Sequence, residues 1–235
     1  MLCQESRGKG NMQSILDIAT DMQTSTAFYL PYREVIQKVQ IRLESFDAAY
    51  RLQNKHSPIH SIRSRLKTLS SISEKLRRKQ LEDSLESASE NLTDIAGIRI
   101  ICYSLADIHT ISSRLKTQKD FLLLSERDYL THPKASGYRS YHMVLGIPVY
   151  LSNEKLYYPV ELQIRTLSMD LWAGVEHRLI YKAEQPEPEL IENLQQYAEV
   201  LKEMENRLEP FFCADSEAFP EELQVGQLQD AADAL

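Results

Sequence analysis

Between Leu156 and Tyr181 the chain reads LYYPVELQIRTLSMDLWAGVEHRLIY, a strand that turns directly into a helix. From Val160 to Ile164 the apolar residues Val160, Leu162 and Ile164 fall on one face of a period-two pattern, and Glu161, Gln163 and Arg165 point together the other way. A carboxylate, an amide and a guanidinium therefore share one face. A solvent-facing strand of no special function shows the same alternation. Two further stretches set this one apart. LTDIAGIRIIC, Leu92 to Cys102, places Asp94 just ahead of an apolar run that contains Gly97, and HPKASGYRSYH, His132 to His142, is a basic, glycine-bearing loop that leads into another strand.

The remaining elements follow from periodicity. From Pro31 to about Tyr50, the residues Ile36, Val39, Leu43, Phe46 and Tyr50 recur at helical spacing, with Pro31 suited to the first turn. The apolar face of this helix packs either on the domain's own sheet or on a second subunit. Ile59 to Lys67 alternates Ile62, Ser64 and Leu66 against Arg63, Arg65 and Lys67, a strand with one basic edge. Three cations on one face repel one another unless an anion joins them, which favours polyphosphate over a merely solvated edge. Ser70 to Gln80 reads as a helix, Leu81 to Asn91 as a short helix and loop, Ile95 to Tyr103 as a buried strand, Ala106 to Lys116 as a helix and Phe121 to Ser125 as a strand. Tyr129 to Tyr138, with Pro133 and Gly137, is a loop of the kind that carries ligand contacts. Ser140 to Leu151 and Leu156 to Thr166 flank SNEK and form an antiparallel hairpin.

In the helix that follows, Trp172 and His177 read as packing or structural hydrogen bonding rather than chemistry. Leu190, Leu194, Tyr197, Leu201, Met204 and Leu208 make a coiled-coil-like seam. The predicted fold is α+β, a mixed, roughly five-stranded sheet with helices against it and extra helices at both ends. Residues 1–13 and the acidic tail 213–235 read as disordered, leaving 14–212 as a single domain.

Composition narrows the function classes. A chain of 235 residues with 43% hydrophobic content builds a real core. A formal net charge of −7 argues against nucleic acid as the main partner, because phosphate backbones are held by basic surfaces. Cys3, Cys102 and Cys213 form neither a disulfide framework nor a CxxC metal site, and Cys102 reads as core. The N-terminal segment lacks the apolar stretch of a secretory signal, and no segment approaches the ~20 apolar residues of a membrane span, so a cytoplasmic protein is expected.

DIAGIRI, GYRSYH and VELQIRT, in that order and at these separations, resemble the synthetase domain of the RelA/SpoT proteins. HSPIHSIRSRLK and SISEKLRRK, within His56 to Lys79, match it too, and the resemblance extends from Pro31 to Tyr197. A chain this short resembles the stand-alone small alarmone synthetases of the RelP or RelQ kind. The resemblance implies a nucleotidyltransferase-like sheet and a reaction in which pyrophosphate passes from ATP to the 3′-hydroxyl of GDP or GTP, giving ppGpp or pppGpp and AMP. It implies Mg²⁺ held by Asp94 and Glu161, with Glu161 also accepting the hydroxyl proton. Arg65 and Arg99 then lie against the adenine faces, and Lys67, Lys75, Arg78 and Arg127 near the ATP phosphates. Tyr138 stacks on guanine, and Lys134, His142 and Gln163 complete the acceptor side.

The long bifunctional relatives carry a hydrolase domain before the synthetase, whereas fewer than sixty residues precede the first motif here and no His-Asp dipeptide occurs, so alarmone hydrolysis is not expected. Some small synthetases form tetramers with a basic central pocket that binds alarmone. The corresponding positions here are Gln40, Glu44 and Ser61, which resemble the unactivated RelP type. A homo-oligomer, a tetramer by resemblance, is expected. Two rivals stay open: a non-catalytic nucleotide or single-stranded RNA binding regulator, and an ordinary nucleotidyl transferase that releases pyrophosphate.

Overall fold

Five strands cross one mixed sheet in the order β1-β2-β5-β4-β3 in the computed structural model of the chain, which describes residues 14–15, 22–54, 56–151, 154–179 and 188–213. In chain order the elements are α1 (Met22–Asn54), β1 (Ile59–Leu66), α2 (Leu69–Arg78), α3 (Leu85–Asn91), β2 (Ala96–Cys102), α4 (Leu105–Lys116), β3 (Leu122–Asp128), β4 (Tyr141–Leu151), β5 (Glu154–Thr166), α5 (Leu167–Leu179) and α6 (Pro188–Cys213). Of the expected disorder at 1–13 and 213–235, Cys213 instead ends α6 and the rest lies outside the described residues, as do Ser152, Asn153 and Tyr181. The mixed character comes from a single parallel pair, β2 with β5; β1–β2, β3–β4 and β4–β5 are antiparallel.

One face of this sheet is the core. Val160, Leu162 and Ile164 of β5 are fully buried there with Ile98 and Ile100 of β2 and Met143, Leu145 and Ile147 of β4, as the alternation in β5 requires. Helix α1 covers it with Tyr32, Val35, Ile36, Val39 and Leu43, so the apolar stripe packs on the chain's own sheet. The helix begins nine residues ahead of Pro31, which is interior and buried rather than in the first turn. Tyr32 meets Tyr158 edge-on at 5.3 Å, and Lys38 Nζ donates to the Pro148 carbonyl at 2.6 Å. These contacts tie α1 to the hairpin.

Helix ends are closed by side chains. Thr68 Oγ1 accepts the Ser71 N–H at the start of α2. At α4, Ser104 and Asp107 form a reciprocal capping box, and the Glu209 carboxylate accepts the Leu105 and Ala106 N–H groups at 2.9 Å each. Four orphan donors at a helix start are ordinarily left to water or one cap, so the added carboxylate anchors α6 where the helix dipole favours it. A second, smaller core of Tyr138, Trp172, Leu194 and Ala198 joins α5, α6 and the loop before β4. The expected seam on α6 divides. Leu194 is buried and Leu190 and Leu201 pack beside it, whereas Tyr197, Met204 and Leu208 are exposed.

Candidate functional site

Strand register brings polar residues from all five strands into line on the face opposite α1. Arg99 of β2 is paired with Arg63 of β1 and with Gln163 of β5; Gln163 is paired with His142 of β4, and His142 with Arg127 of β3. Directly paired residues project to the same face, so Arg63, Arg99, Gln163, His142 and Arg127 form one row. The next row runs Arg65, Gly97, Glu161 and Val144. Between them lies a cleft of about 220 Å³ lined by Arg63, Ser64, Arg65, Gly97, Ile98, Arg99, Glu161 and Gln163. A Cβ at Gly97 would sit 3.6 Å from Arg65 Cγ, so the bare backbone there leaves the floor open between Arg65 and Glu161. Three guanidiniums and one carboxylate thus share a small space in a chain of net charge −7. Burial and the nearby Arg165 pull Arg99 below its ordinary pKa, against the opposing pull of Asp170. Such a site gains most from a bound anion.

Glu161 is held by its neighbours on this face. Gln163 Nε2 donates to its Oε2 at 3.2 Å, and Arg165 Nη2 donates to Gln163 Oε1 at 3.0 Å. Arg165 Nη2 also donates to the Tyr138 hydroxyl at 2.6 Å, and that hydroxyl lies 2.8 Å from His142 Nε2. Because arginine only donates, the phenolic hydrogen is directed to Nε2, which assigns the ring proton to Nδ1. Nδ1 faces Glu161 Oε1 at 3.8 Å, beyond hydrogen-bond range. Burial, reinforced by Arg165, Lys134 and Arg127, pulls His142 down to about 4, so the imidazole is neutral near pH 7 and adds no charge beside the carboxylate.

Asp94 sits two residues ahead of β2. Its Oδ2 accepts from Lys67 Nζ and Lys75 Nζ, both at 2.6 Å. Burial opposes its charge, but the two lysines outweigh that and hold it below the usual carboxylate range. Its Oδ1 is buried and has no hydrogen-bond partner. An ionised carboxylate with one oxygen satisfied and the other unspent has the donor chemistry of a divalent-cation ligand. No cluster of three or more His, Cys, Asp or Glu suited to a metal occurs among the described residues. A carboxylate of this kind suits a hard cation which takes one or two carboxylates and completes its shell with water and phosphate.

The structure gathers the sequence-predicted residues unevenly. Arg65, Arg99, Glu161 and Gln163 line the cleft; His142 and Arg127 continue the row toward β3; Lys67 and Lys75 bracket Asp94. Arg78 is exposed on the last turn of α2, outside the cleft lining. Tyr138 is only 7% exposed. Lys134 Nζ lies 4.6 Å and the Arg165 guanidinium 5.1 Å from its ring centroid, so a base reaches the ring only after Lys134 moves. Trp172 packs against this tyrosine in the second core, and His177 is exposed at the end of α5. Sequence reasoning passed over Asp170, which pairs with Arg99 at 3.1 Å, Arg165 at 3.3 Å and Arg63 at 4.0 Å. Arg63, read from the sequence with Arg65 and Lys67 as a cationic edge suited to polyphosphate, lines the cleft. No signal existed for Asp170.

A five-stranded mixed sheet with one helix-covered face, and on the other face a cation-rich cleft around a single carboxylate, defines a protein built to hold nucleotide polyphosphates. The chain belongs to the RelA/SpoT family: residues 64–186 match the family described as "Region found in RelA / SpoT proteins". It is 34% identical over 193 residues to the GTP pyrophosphokinase YwaC of Bacillus subtilis, an alignment covering 82% of this chain and 92% of that protein. A crystal structure of small alarmone synthetase 1 from Bacillus subtilis bound to its product pppGpp superposes with a TM-score of 0.72 at 34% identity, covering 80% of this chain and 96% of that one. A second structure of that synthetase, bound to AMPCPP, covers 83% of this chain and all of its own at a TM-score of 0.68 and 30% identity. The mixed sheet and flanking helices are those of these synthetases. No helix among the described residues is long and apolar enough to cross a membrane.

Proposed function

We propose that the chain is a GTP diphosphokinase, transferring pyrophosphate from ATP to the 3′-hydroxyl of GDP or GTP and yielding ppGpp or pppGpp with AMP. The observation that carries this reading is the pair of adjacent rows across the sheet, in which Glu161 stands among Arg63, Arg65 and Arg99. The acceptor 3′-oxygen attacks the β-phosphorus of ATP, its proton passes to Glu161, and the bond from the β-phosphorus to the α-phosphate oxygen breaks to release AMP. Charge accumulates on the bridging and terminal oxygens as this happens. Arg65 and Arg99 flank the adenine. Lys67, Lys75 and Arg127 face the phosphates. Arg78 joins them only by swinging in from its exposed position. Asp94, through its unpartnered Oδ1, and Glu161 would hold Mg²⁺, which would supply positive charge against the developing phosphate charge. Gln163 orients Glu161, neutral His142 faces the acceptor, and Lys134 leaves the Tyr138 ring as guanine arrives. The exposed Tyr197, Met204, Leu208 and Phe211 of α6 support a homo-oligomer, for which we favour a tetramer in the cytoplasm.

Purified protein incubated with ATP, Mg²⁺ and GDP or GTP is expected to form AMP and alarmone in equal amounts. No product with either acceptor overturns the reading, and release of pyrophosphate instead of AMP reassigns the chain to ordinary nucleotidyl transfer.

A further inference from the structure

Asp170 lies in the first turn of α5, where the helix dipole favours a carboxylate. Its Oδ1 is shared between Arg99 Nη1 at 3.1 Å and Arg165 Nη1 at 3.3 Å. These two arginines belong to different halves of the site. Arg99 lines the cleft beside Arg63 and Arg65. Arg165, whose side chain is 4% exposed, spends its other donors on the Tyr138 hydroxyl, Gln163 Oε1 and Ser140 Oγ. Among the described residues, Asp170 is the one carboxylate in ion-pair range of either guanidinium. Without it, Arg165 is a buried cation facing another cation. Its cheapest escape is to turn away from Arg99, carrying Tyr138 and Gln163 with it.

We propose that Asp170 is a positioning residue that couples the two nucleotide subsites, setting the donor-side Arg99 and the acceptor-side Arg165–Tyr138 pair with one carboxylate. This rests on the synthetase reading of the cleft. It predicts a signature that neither subsite alone would produce: loss of one charge that touches no nucleotide weakens both.

Isothermal titration of wild type, Asp170→Asn and Arg99→Gln with α,β-methylene-ATP and, separately, with GDP in Mg²⁺ buffer tests it. Asp170→Asn is expected to weaken both ligands about tenfold or more, in line with truncating one partner of a buried charge pair. Arg99→Gln is expected to weaken the ATP analogue alone. Adding Asp170→Asn to Arg99→Gln should then cost little more for the analogue while still weakening GDP. A residue that merely supports folding would lower the binding stoichiometry and leave both dissociation constants unchanged, which overturns the proposal, as does weakening confined to one nucleotide. Asp170→Glu keeps the charge one methylene further out and serves where the Asn variant does not fold. Both dissociation constants should rise by the same factor of a few; no rise, or a rise for one nucleotide only, overturns the coupling. If wild type itself binds neither nucleotide, the synthetase reading fails first.

Discussion

Gly137→Ala probes the packing that holds the acceptor loop. Gly137 has φ +80°, and a Cβ built on it would lie 2.4 Å from Ala198 Cβ on α6. Two penalties follow. Placing an L side chain in the left-handed region costs roughly 1–2 kcal/mol. Carbon pairs rest at roughly 3.5–4.0 Å, so loop and helix must part by about 1 Å, and neither carbon has a rotamer to turn into. Such overpacking costs about 1–3 kcal/mol, and the sum corresponds to a fall in Tm on the order of 10 °C for a domain of this size. The loop carries Lys134 and Tyr138, and Gln195 Nε2 on α6 donates to Ala135 O at 2.6 Å. Affinity for GDP should therefore fall with stability, while affinity for α,β-methylene-ATP, whose adenine-flanking arginines sit on β1 and β2, should change little. Ala198→Gly removes the overlap but not the φ strain. A double-mutant cycle by thermal denaturation and GDP titration should then show coupling of about 1–3 kcal/mol, the overpacking share alone. An additive cycle, or a Gly137→Ala protein with wild-type Tm and GDP affinity, would refute the close contact of loop and helix.

Glu161→Gln keeps an acceptor for the Gln163 amide, so Tm should shift by no more than a few degrees, while turnover falls by roughly 10²–10⁴ from loss of the base; turnover near wild type at saturating Mg²⁺ would sink the proton-transfer role. Folded His142 titrates near 4, against about 6.5 in the unfolded chain. The unfolded state therefore takes up the proton first, and stability is full above about pH 6.5 and declines toward pH 4 by up to about 3 kcal/mol. His142→Gln should flatten that part of the Tm–pH curve, and superimposable curves would contradict the buried, neutral imidazole. Arg139 Nη1 pairs with Glu205 Oε2 at 2.7 Å with both side chains almost buried. Arg139→Ala should therefore cost about 3–5 kcal/mol by strandng Glu205 among Thr166 and Ser168, and Arg139→Met with Glu205→Leu should recover most of it in urea denaturation. If Arg139→Ala unfolds at the wild-type midpoint, the pair is not a structural anchor.

Much of the sheet was legible because burial on one face imposes strict alternation. Val160, Leu162 and Ile164 could only face the core together, which sends Glu161, Gln163 and Arg165 to the other side whatever their partners. The same argument placed Arg63 with Arg65, and the loop from Tyr129 was marked by Pro133 and Gly137. The heptad reading of α6 gave only part of its packing face because it counts apolar residues alone. The face that packs uses Leu194, Ala198 and Glu205, where a small residue admits the Gly137 loop and a carboxylate answers Arg139; Tyr197 and Met204 were left outside.

The period-two pattern of a strand is written in consecutive residues, so the amino-acid sequence by itself settled which side chains share a face within β1 and β5. Which of them stand opposite one another is a matter of register between segments as far apart as Arg99 and Gln163. Only the assembled sheet, with its irregularity between Ile59 and Ser61, aligned Arg63, Arg99, Gln163, His142 and Arg127. Asp170 shows the same limit more sharply. Nothing in MDLWAG distinguishes it from any solvated helical acid, because its character comes wholly from arginines delivered by β1, β2 and β5, and those distances exist only once the chain has folded.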